Sequence, residues 1–310
     1  HSPSGGRIPV TRVLCAGLVT VDVIHRVRRV PERNAKLFDD GQSISVGGPA
    51  ANAARTVAAL GAQARLVAAY GDSPVTAFLA GTLADEGIQW VDPLAGSPNP
   101  TPVSSVLIDI GSGDRAVIAG GTRTQTYPLA PNEWLDGVDA VLIDGHGGDL
   151  PAAVARAARQ CGIPVVLDGG SYKETMSAYL GDVDLALLSE DFLAPQGDSI
   201  TWALRAGAWT AGRSAGPGAI DLDGALGRAS IPVPSVPVVD TLGAGDVLHG
   251  ACAAALGALG DRQRILDAVS FASRVATASV GYPGALGWAR DDQLRDAFRR
   301  TLRRLGLPRH

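Results

Sequence analysis

Lysine is almost missing from this chain: Lys36 and Lys173 are the only two among 27 basic residues. Arginine supplies the rest, and Arg299, Arg300, Arg303 and Arg304 near the C-terminus read as the solvated face of a last helix. With 31 acidic residues the net charge is -4, which gives no reason to expect a nucleic-acid partner. Cysteine is scarce too. Cys15, Cys161 and Cys252 lie far apart with no metal-ligand spacing, so they read as buried free thiols of a protein in a reducing cytoplasm. No apolar run reaches transmembrane length and no signal peptide is visible, so no membrane partner is expected. A Gly-x-x-x-x-Gly-Lys-Ser/Thr string is missing, which excludes a P-loop.

What is present is a βα rhythm. At 310 residues, 46% hydrophobic and 19% charged, the chain suits one large domain or a domain plus a small lobe. The polar residues 1–10 are expected to be a disordered or added tail. Residues 11–20 (TRVLCAGLVT) read as a buried first strand followed directly by Asp22, and residues 49–60 as a helix. Residues 63–70, 74–86 and 87–91 then read as strand, helix and strand. From 131 to 188 helices and strands alternate again, including a helix over 174–180. Three of these strands end in an acid or polar cluster, at Asp144, Asp168 and Glu190, which points to one cleft along the carboxyl edge of a sheet. Two half-buried strands within about 23–46, and a hairpin within about 103–120 around Gly111-Ser112-Gly113-Asp114, leave this rhythm and read as a four-stranded lobe that could act as a lid. Residues 210–216 (TAGRSAG) read as a Gly-rich loop of the nucleotide-contacting sort.

Two glycine-bearing helix starts carry the chemistry. Gly47-Gly48-Pro49 opens one helix, with Asn52 a turn inside a wall of alanines; a ligand hydrogen bond explains that polar residue best. Asp240-Thr241-Leu242-Gly243-Ala244-Gly245-Asp246 opens another. Free backbone N–H groups and the helix dipole make an anion site there, and Asp246 at its edge can accept a proton from an attacking hydroxyl. Taken alone, these residues fit a plain capped helix start equally well. His146, after a strand end, could touch substrate or be a satisfied loop residue.

The two starts, in this order and spacing over Thr11 to Leu305, resemble the ribokinase-like (PfkB) carbohydrate kinases. The resemblance implies a Rossmann-like three-layer α/β/α sandwich with a β-sheet lid, and ATP-dependent phosphorylation of a sugar hydroxyl. It implies Asp246 as general base, with the N–H groups of Ala244, Gly245 and Asp246 stabilising charge on the moving phosphoryl group and Gly243 in the same catalytic loop. Asp22, Gly47, Gly48 and Asn52 would hold the sugar, joined by Asn34, Arg115, Asp144 and His146 as further candidates. Thr210, Gly212, Gly216 and Ser273 would hold ATP, with Glu190 reaching Mg²⁺ through water. Asp240, Thr241 and Gly284, the last in the loop 281–285, would hold K⁺. Gly47-Gly48-Pro49-Ala50-Ala51-Asn52 looks most like the ketohexokinase and sulfofructose-kinase branch, and Pro49 stands where ribokinases carry Lys, so a ketohexose or derivative is the expected acceptor. A nucleoside kinase and a non-catalytic sugar- or nucleotide-binding protein are the alternatives. A homodimer through the lid sheet is expected.

Overall fold

The apolar runs become strands buried on both faces, which is why they carry no polar alternation. The computed structural model describes residues 10–99, 102–112, 115–120 and 127–307. The elements run β1 (Arg12–Ala16), β2 (Thr20–Val27), β3 (Gly41–Gly47), α1 (Pro49–Ala59), β4 (Gln63–Val67), α2 (Pro74–Asp85), β5 (Gln89–Val91), β6 (Val103–Asp109) and β7 (Arg115–Ile118). They continue α3 (Pro131–Trp134), β8 (Ala140–Ile143), α4 (Leu150–Gln160), β9 (Val165–Gly169), β10 (Leu185–Leu188), α5 (Ser199–Arg205), β11 (Thr210–Ala215), β12 (Gly218–Gly224) and β13 (Ala229–Ile231). Three long helices close the chain: α6 (Ala244–Leu259), α7 (Ile265–Ser279) and α8 (Asp292–Leu305).

A nine-stranded sheet has the order β13-β12-β11-β10-β9-β8-β1-β4-β5. It is parallel from β11 to β5, with β12 and β13 antiparallel at one edge. Successive residues of each central strand enter opposite cores. Val13 and Cys15, Leu142, Val166, Leu185 and Leu187 pack toward α1, α6 and α7. Leu14 and Ala16, Val141 and Ile143, Val165 and Leu167, Ala186 and Leu188 pack toward α4 and α5. Period-two alternation between two apolar layers gives the three-layer sandwich that the sequence implies.

The second sheet has the order β3-β2-β6-β7. Asp22 pairs with Ser45 and Ser104 in it, so this acid lies in the small sheet instead of following β1 directly. The first strand is broken at Gly17, where φ is +155 and an added Cβ would lie 1.9 Å from Asp144 Oδ1. Of the hairpin turn expected at residues 111–114, Gly113 and Asp114 fall outside the described residues, as do residues 1–9 of the expected tail.

Three local readings change. Of the cysteines expected to be buried, Cys161, just past the end of α4, is exposed. Residues 174–180 form two short 3-10 turns, Glu174–Ala178 and Leu180–Asp182, and no α-helix. Residues 210–215 form β11, paired parallel to β10 and antiparallel to β12. Gly212 is tolerated there because side chains from both neighbours, Leu187 and Leu222, close over it, each 3.1 Å from where a Cβ would lie.

Candidate active site

The start of α6 has the geometry of an anion site. Gly243 is its N-cap in left-handed backbone, φ +75, and a Cβ there would also meet Ala285 Cβ at 2.4 Å. Glycine is therefore required for conformation and for space. The Ala244 N–H is already used, donating to Thr241 O at 3.2 Å. The N–H groups of Gly245 and Asp246 have no protein acceptor among the described residues, and Gly245 is exposed with open space above it. Two donors, not three, face outward from the positive end of the helix.

Asp246 is half-buried beside these donors. Its Oδ2 accepts a hydrogen bond of 2.7 Å from Asn52 Nδ2, which joins the two glycine-bearing helix starts. Asn52, expected as a sugar contact, directs its amide at this carboxylate. The contact exists because α1 and α6 cross closely. A Cβ on Gly250 would lie 2.6 Å from Ala53 O, so only glycine permits that approach. Burial and then the Asp168 charge push the Asp246 carboxyl up to about 7, while the Asn52 bond and His249 pull it down. A carboxylate poised near neutrality in a cleft is suited to accept a hydroxyl proton.

Asp22, in β2, lies beside Gly47, just before the start of α1. Thr20 Oγ1 donates to its Oδ1 at 2.7 Å, and burial raises its pKa. Gly47 is needed beside it, since a Cβ there would fall 1.9 Å from Asp22 Oδ2. Gly48, φ +93, caps α1 where a Cβ would meet Leu18 O at 2.5 Å.

Asp144 has a different role from the one expected. It is buried, and its carboxylate accepts the N–H groups of Leu18 at 2.8 Å, Ala50 at 3.1 Å and His146 at 2.9 Å. Those bonds tie the ends of β1 and β8 to the start of α1, so Asp144 braces the cleft rather than facing a substrate. His146 is half-buried, and burial lowers its pKa, which keeps the ring neutral at neutral pH.

Lys173 and His249 were not singled out for function in the sequence. Lys173, half-buried beside Gly145, bonds only to Ser171 O and Oγ, at 3.3 and 3.2 Å. Its pKa is lowered, burial outweighing the opposing charges of Asp144 and Asp168, and its hydrogen-bond partners are neutral. The rarity of lysine in the chain was the signal that could have found it. His249 lies one helical turn beyond Asp246, buried against Asp168; it had no signal beyond its spacing.

The nucleotide side is only partly assembled from the expected residues. Glu190 is exposed just beyond the carboxyl end of β10, and Gly216, φ +51, turns beside it, its Cβ position 3.5 Å from Glu190 Oε1. Thr210 and Gly212 do not join them. Thr210 is buried at the amino end of β11 opposite Leu185, and Gly212 sits in mid-strand opposite Leu187. Ser273 is buried in α7 and donates to Pro232 O. Asn34 and Arg115 are also left apart. Asn34, φ +62, is exposed in a turn closed by Ala35 N–H to Glu32 O. Arg115, in the outer strand β7, pairs with Ile108, four residues beyond the Ser104 that faces Asp22.

Asp240, Thr241 and Gly284 do come together. Asp240 accepts the N–H of Leu242 at 2.9 Å with one oxygen and that of Gly284 at 2.8 Å with the other. Its negative charge is thus fixed between the anion site and the 281–285 loop, while Thr241 is exposed.

Comparison with known proteins adds a frame. Residues 10–290 match the model of the pfkB family of carbohydrate kinases. The chain is 29% identical over 291 residues to an ATP-dependent ribose-1-phosphate kinase of Halopiger xanaduensis, covering 89% of this chain and 94% of that one. It is 25% identical over 287 residues to a ribokinase of Bacillus subtilis, covering 89% and 95%. The structure of Arabidopsis thaliana ribokinase complexed with ribose and ATP superposes with a TM-score of 0.71 at 20% identity, covering 94% of this chain and 98% of that one. Similarity to mouse ketohexokinase, by contrast, runs over 112 residues, 36% of this chain. The leaning toward a ketohexokinase branch is therefore corrected in favour of ribokinases and the ribose-1-phosphate kinase.

Proposed function

Because the chain belongs to the pfkB family of carbohydrate kinases and is an ATP-dependent sugar kinase, we propose that its acceptor is a ribose-type sugar, with ribose 1-phosphate the first candidate. The observation that carries the kinase chemistry is the Asn52–Asp246 hydrogen bond beside two open N–H donors. In this reading the sugar hydroxyl lies between Asp246, Asp22 and the start of α1. Asp246 takes its proton as the oxygen attacks. The Gly245 and Asp246 N–H groups neutralise charge on the transferring phosphoryl group. Phosphoryl transfer needs positioning and charge compensation of this kind more than covalent participation.

Lys173 favours an anionic partner in the cleft, since its ammonium has no carboxylate within ion-pair distance among the described residues. ATP fits the carboxyl edge at Gly216 and Glu190, where Glu190 would hold Mg²⁺ through water; the metal supplies charge neutralisation for the phosphates. K⁺ fits beside the fixed charge of Asp240, with Thr241 and the 281–285 loop around it. The chain pairs with a second copy through the small sheet: Ile44 and Ile118 share one rung through Val23 and Ser105, on the face opposite Asp22, and both are exposed.

The test is ADP release from ATP and Mg²⁺, with and without K⁺, over ribose, ribose 1-phosphate, fructose and adenosine. Turnover with ribose 1-phosphate or ribose above the others supports the reading. Preference for fructose or adenosine overturns the acceptor assignment, and ATP binding without transfer to any of them overturns the activity.

A further inference from the structure

His249 is buried in α6 with both ring nitrogens facing oxygen acceptors. Nδ1 lies 2.6 Å from Gly245 O and Nε2 lies 2.8 Å from Leu187 O in β10. A carboxylate oxygen, Asp168 Oδ2 in β9, lies 3.3 Å from Nδ1. A neutral imidazole has one N–H and one lone pair, whereas a carbonyl or carboxylate oxygen can only accept. In either neutral tautomer one ring lone pair would point at an oxygen lone pair, in a buried place where water cannot intervene. The doubly protonated ring alone satisfies both contacts, and it faces Asp168, whose carboxyl pKa is raised by burial and pulled down by the His249 charge.

We propose that His249 is an imidazolium, paired with Asp168, that acts as a positioning residue for Asp246 by pinning the first turn of α6 to β10. The proposal rests on the sugar-kinase reading only for its consequence on catalysis; the protonation state stands on the hydrogen-bond geometry. The charged groups around the ring are few. Asp246 precedes it on α6, Asp168 faces it from β9, and Asp144, His146 and Lys173 bear on it through Asp168. The contact from β10 is a carbonyl. Without the imidazolium, Asp168 and Asp246 would be two buried carboxyls with no cation between them, and ionisation of one would hold the other protonated. Gly245, whose carbonyl receives the Nδ1 proton, also owns one of the two open N–H donors, so the same ring steadies the peptide on each side of that residue.

The direct experiment is ¹⁵N NMR of the imidazole nitrogens in the full-length wild-type protein between pH 6 and 9. Two protonated nitrogens at pH 7.5 are expected, and a neutral tautomer there overturns the proposal whether or not any sugar is turned over. The kinetic experiment is the pH profile of kcat/KM with the best sugar. His249→Gln should move the acid limb up by about one unit, a loss of ~10-fold at pH 6. Adding Asp168→Asn should move it back. A limb unmoved in His249→Gln, or not restored by the second change, overturns the positioning role. A His249→Gln protein that does not fold leaves the NMR result to decide.

Discussion

Asn52 and Asp246 are 194 residues apart in sequence and joined by a 2.7 Å hydrogen bond from amide to carboxylate. The bond makes Asn52 a partner of the base. Asn52→Ala should lower kcat by roughly 10- to 100-fold, because an unoriented carboxylate loses most of a near-attack geometry. Asn52→Asp should cost more near neutral pH, since a like charge raises the pKa of the base further. Steady-state ADP release checks both. A change in sugar KM with kcat intact would return Asn52 to a sugar-binding role.

Asp246→Asn separates chemistry from stability. Removing a general base should cut kcat by about 10²- to 10⁴-fold. In the wild-type protein kcat/KM should rise with pH along a limb near 7, because only the ionised carboxylate accepts the proton. The stability effect has the opposite sense. The folded carboxyl is raised from 3.8 to about 7, so between these values the unfolded chain loses its proton and the folded one keeps it. The group therefore destabilises the fold progressively as pH rises from about 4 to 7, and by a constant amount above that. Asp246→Asn should melt higher than wild type at pH 8, by an amount on the order of 1–3 kcal/mol given partial exposure, and the gain should vanish near pH 4. Calorimetry at the two pH values measures it.

Asp144 should behave as a brace. Asp144→Ala strips three buried or half-buried N–H groups of their acceptor and should cost about 3–5 kcal/mol. Gly17→Ala, aimed at the same carboxylate from the other side, should destabilise comparably, through both the steric contact and its positive φ. Urea denaturation of each variant gives the comparison. A fully stable Asp144→Ala protein with a raised sugar KM would restore Asp144 to the substrate site.

The layers of the fold and both helix starts were legible because each depends on local pattern: continuous apolar strands, Gly-Gly-Pro before one helix, Gly-Ala-Gly-Asp before another. What escaped depended on partners distant in sequence. Nothing near Asn52 shows that Gly250 lets α6 approach closely enough for Asp246 to take its amide. Residues 210–216 looked like a loop because glycine and serine are common in turns; as β11, Gly212 is instead covered by Leu187 and Leu222. Asp144 looked like its neighbours at the strand ends, and only the folded chain shows its oxygens filled by backbone donors. The acceptor went astray because the residues between Gly47 and Asn52 are a short stretch, while the relatedness to ribokinases extends over 89% of the chain.

Gly47 offers a cleaner probe of the sugar pocket than Asp22 itself. Its backbone is not left-handed, so alanine is acceptable to the chain, and the three atoms nearest its added Cβ all belong to the Asp22 carboxyl, with Oδ2 at 1.9 Å. Asp22 must swing away to relieve it, giving up its bond from Thr20 Oγ1. If Asp22 binds a sugar hydroxyl, Gly47→Ala should raise the sugar KM by about 10-fold, the worth of one charged hydrogen bond partly lost, and leave the ATP KM unchanged. Stability should fall by no more than ~1–2 kcal/mol, because the displaced group can reach solvent. An equal rise in both KM values would point instead to a general loosening at the start of α1, and an unchanged sugar KM would remove Asp22 from the acceptor site.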